Sequence, residues 1–160
     1  MKSFVPGPDS ERDLRTAFGA FATGVTVVTT HSEIGPLGIV ANSFSSVSLD
    51  PALVLWCVAK SSRRYGAFAN AKHFAIHVIA ADQKALVDRF ARSGHDFEGV
   101  DWSLGQNDTP LLNTCAARFE CDTYAIHEAG DHDIILGKIT SAACVDCDGL
   151  VFSRGAFQTP

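Results

Sequence analysis

The chain has no apolar run of membrane-spanning length, and Met1 to Asp9 form no basic-then-apolar leader, so nothing in it asks for a bilayer or for export. A soluble, cytoplasmic protein without a membrane partner is the expectation. Positive charge is also scarce: 13 Lys and Arg stand against 18 Asp and Glu, a formal net charge of −5. A field of that sign repels nucleic acid and anionic lipid, which argues against a nucleic-acid partner. Cysteine comes only as an odd five, which does not make a disulfide framework. Cys144 and Cys147 form a lone C-x-x-C with no second pair to complete four zinc ligands, and in an extended segment they would point to opposite faces. Cys115 and Cys121 share a face if that segment is a strand; buried thiols are the reading. No G-x-G-x-x-G, Walker loop, G-x-S-x-G or H-E-x-x-H occurs, and the six histidines make no metal-type pair. Repeats, low-complexity tracts and linkers are missing too, so residues 1–160 read as one domain.

What is there suffices for a core: 46% of residues are hydrophobic and 19% charged. Ser10-Glu11-Arg12-Asp13 has the spacing of a capping box, and Leu14, Phe18 and Phe21 follow at helical intervals, predicting a helix from about Ser10 to Phe21. Beyond Gly24 the pattern turns to β. Val25 to Thr30 is β-branched throughout, Gly35-Pro36 reads as the turn, and Leu37 to Asn42 as the return strand. Ser45 to Leu49 alternates, Asp50-Pro51 turns again, and Leu53 to Ala59 is a near-continuous apolar run expected to be buried on both faces. A short helix is expected over Arg64 to Asn70, a strand at Phe74 to Ile79, and a helix from Asp82 to about Arg92. Ser93 to Leu112 reads as loop. Cys115 to Tyr124, Asp133 to Val145 and Leu150 to Arg154 supply further strands. The sum is a mainly β domain, a small antiparallel barrel with peripheral helices.

Two segments carry candidate chemistry. Ala41-Asn42-Ser43-Phe44-Ser45-Ser46-Val47-Ser48 holds one amide and four hydroxyls, able to meet a planar, acceptor-rich ligand while Phe44 and Val47 add apolar contact. The same composition also makes an ordinary serine-rich turn. Lys60-Ser61-Ser62-Arg63-Arg64 is the densest positive cluster of an acidic chain. It reads either as a phosphate seat at a helix start or as a solvated surface turn. Together the two suggest a flat polar head and a phosphate tail, the outline of a flavin nucleotide. Gly130-Asp131-His132 adds a histidine that is either structural or ligand-facing, with Asp131 and Glu128 near in sequence.

In sequence, Phe21-Ala22-Thr23-Gly24-Val25-Thr26-Val27-Val28-Thr29-Thr30 and Ala41 through Pro51 resemble the flavin reductase-like family with its FMN-binding split-barrel fold. Ser61-Ser62, His73 through Val78, Phe97-Glu98-Gly99-Val100, Gly130-Asp131-His132 and Arg154-Gly155-Ala156-Phe157 follow in the family's order, so the resemblance spans about Leu14 to Phe157. It implies an antiparallel split β-barrel and an NAD(P)H:flavin oxidoreductase. The reaction would pass hydride from NADH or NADPH to FMN or FAD and supply reduced flavin to a separate flavin-dependent oxygenase. It further implies a homodimer, for which surplus apolar surface such as Trp56 and the phenylalanines would also argue. By position, Val40, Ala41, Asn42, Ser43, Phe44, Ser46 and Val47 would line the flavin ring and ribityl chain. Cys57, Val58, Ala59, Lys60, Ser61 and Ser62 would wrap its other side and phosphate, with Arg63 or Arg64 adding charge. Arg89 and Phe90 match positions bordering the flavin, and His132 and Phe157 positions on the nicotinamide side, His132 as the positioning residue. Asp133 departs from the family pattern and would make the rim more acidic. A flavin binder without turnover is the alternative on the same fold.

Overall fold

The computed structural model describes residues 1–158. A single 3-10 turn at Pro8–Ser10 leads into α1 (Glu11–Phe18). The Ser10 hydroxyl does not cap this helix. It accepts the Gly7 N–H (2.9 Å) and donates to the Val5 carbonyl (2.8 Å), tightening the turn ahead of the helix. α1 ends short of Phe21 and none of its residues is buried, so Phe18 and Phe21 stay on the surface.

The remaining elements are β1 (Thr23–Gly24), β2 (Thr26–Ser32), β3 (Gly35–Ala41), β4 (Ser45–Leu49), β5 (Ala52–Ala59), α2 (Tyr65–Ala69), β6 (His73–Val78) and α3 (Lys84–Arg92). They continue with β7 (Trp102–Leu104), β8 (Pro110–Leu112), β9 (Ala117–Ala129), β10 (His132–Cys144), β11 (Val151–Ser153) and β12 (Ala156–Gln158). One seven-stranded sheet runs β3-β2-β6-β9-β10-β5-β4, antiparallel at every step. The β7–β8 pair falls inside the segment read as loop, and β12 lies beyond the last expected strand.

The sheet's two outermost strands, β3 and β4, are consecutive in the chain and joined by Asn42, Ser43 and Phe44 alone. Four Cα steps from Ala41 to Ser45 reach about 14 Å at most, so the sheet must curl until its ends approach. The ends are not hydrogen-bonded to each other. The result is a barrel split along one seam, across which β3 and β4 form no ladder; the β3 edge is tied at Gly38, whose N–H donates to the Gly94 carbonyl (2.8 Å).

β2, rather than β5, is the strand buried on both faces. Its Val28 enters one core cluster with Trp56, Phe68, Phe74, Ile76 and Ile135. Val27 enters the other with Ile79, Val87, Phe90, Phe97 and Leu112. β5 alternates instead: Val54, Trp56 and Val58 point inward, while Leu53, Leu55 and Cys57 are half-buried. A run of apolar residues does not distinguish a second covered face from one left uncovered. Trp56 is fully buried in this single chain, so it offers no surface for a second copy to cover. Its ring meets Phe68 edge-on at 5.2 Å.

The β2–β3 turn sits at Glu33 and Ile34, because Ser32 pairs with Gly35 and His31 with Pro36. Pro36 is tolerated there since β3 is an edge strand with a free N–H side. In β3, a Cβ on Gly38 would come within 2.7 Å of the Phe90 ring; the bare backbone lets α3 lie flat on the strand. The thiols divide: Cys121 is buried, and that burial pushes it up to about 12, whereas Cys144 and Cys147 are exposed, contrary to a uniformly buried reading.

Candidate functional site

The seam is where polar groups gather. Ser43, in the three-residue link, accepts the Cys57 N–H through its hydroxyl (2.8 Å) and lies 3.3 Å from the Cys57 carbonyl. This pins the link to the edge of β5 beyond its pairing with β4 and leaves Asn42, Ser45 and Ser46 exposed. A bulge between Ser46 and Ser48 takes Val47 out of the ladder, and its side chain is 46% exposed. A bulge beside a free strand edge is a usual way to aim backbone N–H and C=O groups at a ligand. A flat ring with a hydrogen-bonding rim fits this edge, with Val47 as the apolar contact. Phe44 is not available for that contact, because it stacks on Phe119 (5.7 Å, 14°) and packs on the core. Val40 and Ala41 are likewise half-buried against the two core clusters, so their backbone is the part that borders the seam.

From Cys57 the strand runs to the turn at Lys60–Ser62, closed by the Ser62 N–H donating to the Ala59 carbonyl (3.0 Å). The turn is tied to the β9–β10 hairpin: Lys60 N–H donates to the Asp131 carbonyl (2.9 Å), and Ala59 pairs with His132. Gly130, at φ +68, takes the left-handed position this tight hairpin needs. Thus Asn42–Val47, Cys57–Ser62 and Gly130–His132 are held on one structure. The thiol of Cys57, half-buried, is pushed up by that burial. Val58 points into the core and can contribute only backbone.

His132 Nδ1 faces Asp131 Oδ1 at 2.8 Å. The His132 ring, through that hydrogen bond, holds the Asp131 carboxyl below its ordinary range, and Arg15 of α1 lies within electrostatic reach of it. With Nδ1 committed, His132 presents Nε2 outward. Phe157 sits in a separate three-stranded sheet, β1-β11-β12, packed on Phe152 at 5.2 Å with the Lys84 ammonium 5.2 Å over its face. That sheet is anchored to α1 by the Arg154 N–H donating to the Gly19 carbonyl (2.8 Å).

The cationic cluster proves less free than its sequence suggests. Lys60 Nζ is paired with Glu128 (2.8 Å) and Asp133 (3.5 Å), and Glu128 raises its pKa. Arg64 donates to the carbonyls of Gly38 (3.1 Å), Phe90 (2.7 Å) and Ala91 (3.5 Å), clamping α2, α3 and β3. Its own burial lowers its pKa. Arg89 is taken up by Asp96 (2.8 Å) and the Glu98 carbonyl (2.6 Å). Phe90 is fully buried on Phe97, so its side chain borders no ligand. Among the described residues Arg63 has no ion pair, and with exposed Ser61 it is what remains for a phosphate; the Ser62 hydroxyl accepts the Arg64 N–H (3.2 Å). Asp133 does not acidify a rim. It is buried (7% exposed), accepts the Tyr65 hydroxyl (2.6 Å) and is neutralised by Lys60. These partners were illegible in sequence because Glu128 and Asp133 reach the cluster only through strand pairing.

A flavin reductase like domain model matches residues 18–160. The FMN reductase (NADH) of Agrobacterium fabrum is 54% identical over 96% of this chain and 88% of its own length. The reductase component of a flavin-dependent trigonelline monooxygenase from Acinetobacter baylyi is 48% identical over 93% of this chain, which spans 49% of that relative. Among solved structures, the NADH:FAD oxidoreductase of Streptomyces globisporus in complex with NAD and FAD fragments superposes with a TM-score of 0.89 at 39% identity, covering 98% of this chain and 96% of that one. With a matching domain model over nearly the whole chain and relatives of this identity, the chain belongs to the flavin reductase-like family.

Proposed function

We propose that the protein is an NAD(P)H-dependent flavin reductase that delivers reduced flavin to a separate oxygenase. What carries the reading is the fastening of three polar segments, Asn42–Val47, Cys57–Ser62 and Gly130–His132, around one unpaired strand edge. The names of its relatives, an FMN reductase and a monooxygenase reductase component, agree with it. A flavin held there would supply the chemistry, as the acceptor of hydride from the reduced nicotinamide. The chain's own groups do the placing. The edge N–H groups from Asn42 to Val47 hold the ring's acceptor rim, Ser61 and Arg63 hold the phosphate, and His132 Nε2 orients the nicotinamide. No side chain needs to give or take a proton at carbon. The five free thiols suit a reducing cytoplasm. The half-buried Leu53 and Leu55, with exposed Val47 and Leu49, suit a two-fold dimer on the β4–β5 side; a monomer mass by sedimentation would refute that assembly. Loss of reduced-nicotinamide absorbance on mixing with FMN or FAD tests the activity, and no consumption with any pair rejects it.

Ser61→Ala with Arg63→Ala is expected to weaken flavin binding by about ten- to hundredfold, roughly 1.5–3 kcal/mol, because charge-assisted hydrogen bonds are lost. The melting temperature should hardly move, since both side chains are exposed. Flavin fluorescence quenching reads the affinity, and an unchanged value moves the phosphate elsewhere. His132→Ala should raise the NADH KM and lower kcat/KM by about 1–3 kcal/mol in transition-state terms, with flavin affinity kept. Normal kinetics with a lowered melting temperature would make His132 a turn-pinning residue only.

A further inference from the structure

A buried carboxylate, Asp133, bonds to both sides of the proposed phosphate seat. Its Oδ2 accepts the Tyr65 hydroxyl (2.6 Å) and its Oδ1 faces the Lys60 ammonium (3.5 Å). These two donors flank Ser61, Ser62 and Arg63 in the chain, so one side chain grips both shoulders of that turn. The backbone closes the same stretch: Lys60 N–H donates to the Asp131 carbonyl (2.9 Å) and Tyr65 N–H to the Ser62 carbonyl (3.0 Å). Along the start of β10, half-buried and buried residues alternate from His132 to Gly137. His132 and Asp133 therefore point to opposite faces of the strand. Fixing the Asp133 side chain on the inner face fixes the rotation of the strand's first residues, and with it the direction of the His132 ring on the other face. Beyond His132 the hairpin ends in exposed Ala129, Gly130 and Asp131, which have no packing of their own to steady it.

Stability does not account for this arrangement. Taking a carboxylate out of water is costly, and a buried ion pair is often no more stabilising than well-packed apolar side chains. Asp133 stands directly across from buried Val58 on β5, where an apolar residue would pack without that cost. Its cation is moreover shared, because Lys60 also pairs with the exposed Glu128 (2.8 Å). What the carboxylate does supply is direction, through bonds of defined geometry to two fixed donors. We infer that Asp133 is a positioning residue, which sets the His132 ring relative to the Ser61–Arg63 turn by holding Lys60 and Tyr65 on either side of that turn. The inference rests on the flavin-reductase reading, since the setting matters only where a ligand seated on the turn must meet one oriented by His132. A displacement of about 1 Å between reacting partners can cost on the order of a hundredfold in rate.

Asp133→Val, Asp133→Asn and Tyr65→Phe test this, each compared with the unmodified protein in steady-state kinetics, flavin affinity, urea midpoint and amide exchange. In Asp133→Val, kcat/KM for NADH should fall about ten- to hundredfold. Flavin affinity should stay within about threefold, because Arg64 keeps the turn clamped to β3 and α3. The urea midpoint should hold or rise. Without flavin, amides from Asp131 to Ile134 should exchange about tenfold faster, with those of β2 unchanged. Asp133→Asn keeps an acceptor for the Tyr65 hydroxyl and should lose less than Asp133→Val. Tyr65→Phe should lower kcat/KM on its own and add nothing to Asp133→Val, since both remove the same bond. Normal kinetics in Asp133→Val, whether or not its midpoint falls, would overturn the inference and leave a purely structural carboxylate. A loss of flavin affinity as large as the kinetic loss would overturn it too. If Asp133→Val does not fold, Tyr65→Phe decides, and a normal kcat/KM there overturns the inference. Failure of the reductase reading shows elsewhere, in an unmodified protein that consumes no NADH. Faster exchange from Asp131 to Ile134 in Asp133→Val would then still support the hold on the hairpin, and unchanged exchange would overturn it.

Discussion

Replacing Trp56 with Ala is expected to cost about 3–5 kcal/mol of folding stability, the largest effect of any single substitution considered for this chain. The indole is fully buried between Phe68 and Phe74, and β5 on which it sits also receives the Ser43 clasp at Cys57. Its removal leaves a cavity that these two aromatic neighbours cannot close, and it loosens the strand against which the seam is fixed. Flavin affinity should therefore fall together with stability. Trp56→Phe separates two contributions. The indole Nε1 is buried with no hydrogen-bond partner among the described residues, and such a group carries a desolvation penalty of about 1–3 kcal/mol. Phenylalanine loses volume but sheds that penalty, so its net cost should be well below that of alanine. Urea midpoints of the two variants measure this, and equal losses would mean that the unpaired N–H carries no penalty.

The second large effect is acid destabilisation through His77. Its ring is fully buried, with Nδ1 donating to the Val27 carbonyl (3.0 Å) and Nε2 accepting the Leu112 N–H (3.0 Å). Both nitrogens are satisfied only by the neutral ring. Burial accordingly lowers its pKa from 6.5 to about 4. The unfolded chain takes up the proton first on acidification. Stability contributed by the neutral ring is thus fully present above about pH 6.5, and it is lost as pH falls towards about 4. The loss amounts to roughly 3 kcal/mol across that window. His77→Gln, which cannot titrate, should start less stable at neutral pH but show a flatter decline. Urea unfolding at a series of pH values checks it; an identical slope in the variant would place the acid lability elsewhere.

How far the molecule could be read from its sequence depended on whether the signal was local. β2, β6 and β10 were legible because β-branched and alternating residues report a pleated, packed strand. Which strand had a second covered face was not legible. β5 looks the more apolar on paper, yet β2 is the one sandwiched between two clusters, because β8 and α3 arrive from distant parts of the chain. The serine-rich link was visible as a composition, but not the division of labour within it: Ser43 is a structural clasp, while Asn42, Ser45 and Ser46 stay exposed. The cationic cluster was misread in detail. Lys60 and Arg64 look as free as Arg63 in sequence, and only strand register and the α2–α3 approach reveal their carboxylate and carbonyl partners.

The open seam has a thermodynamic consequence of its own. Elsewhere the barrel is held by strand ladders, but β3 and β4 share none: a covalent link clasped by Ser43 to β5 joins them, and along the seam β3 is tied only by loop and side-chain bonds such as Gly38 N–H to the Gly94 carbonyl. Backbone amides along these two edges should therefore exchange with solvent through small local openings rather than through global unfolding. A ligand lying along the seam would play the part of an absent strand and stabilise the folded chain by mass action, by an amount that grows with the logarithm of its concentration above Kd. A reductase that releases its flavin after each turnover would then tighten and slacken its own barrel once per cycle, with the change confined to the line where the sheet fails to close.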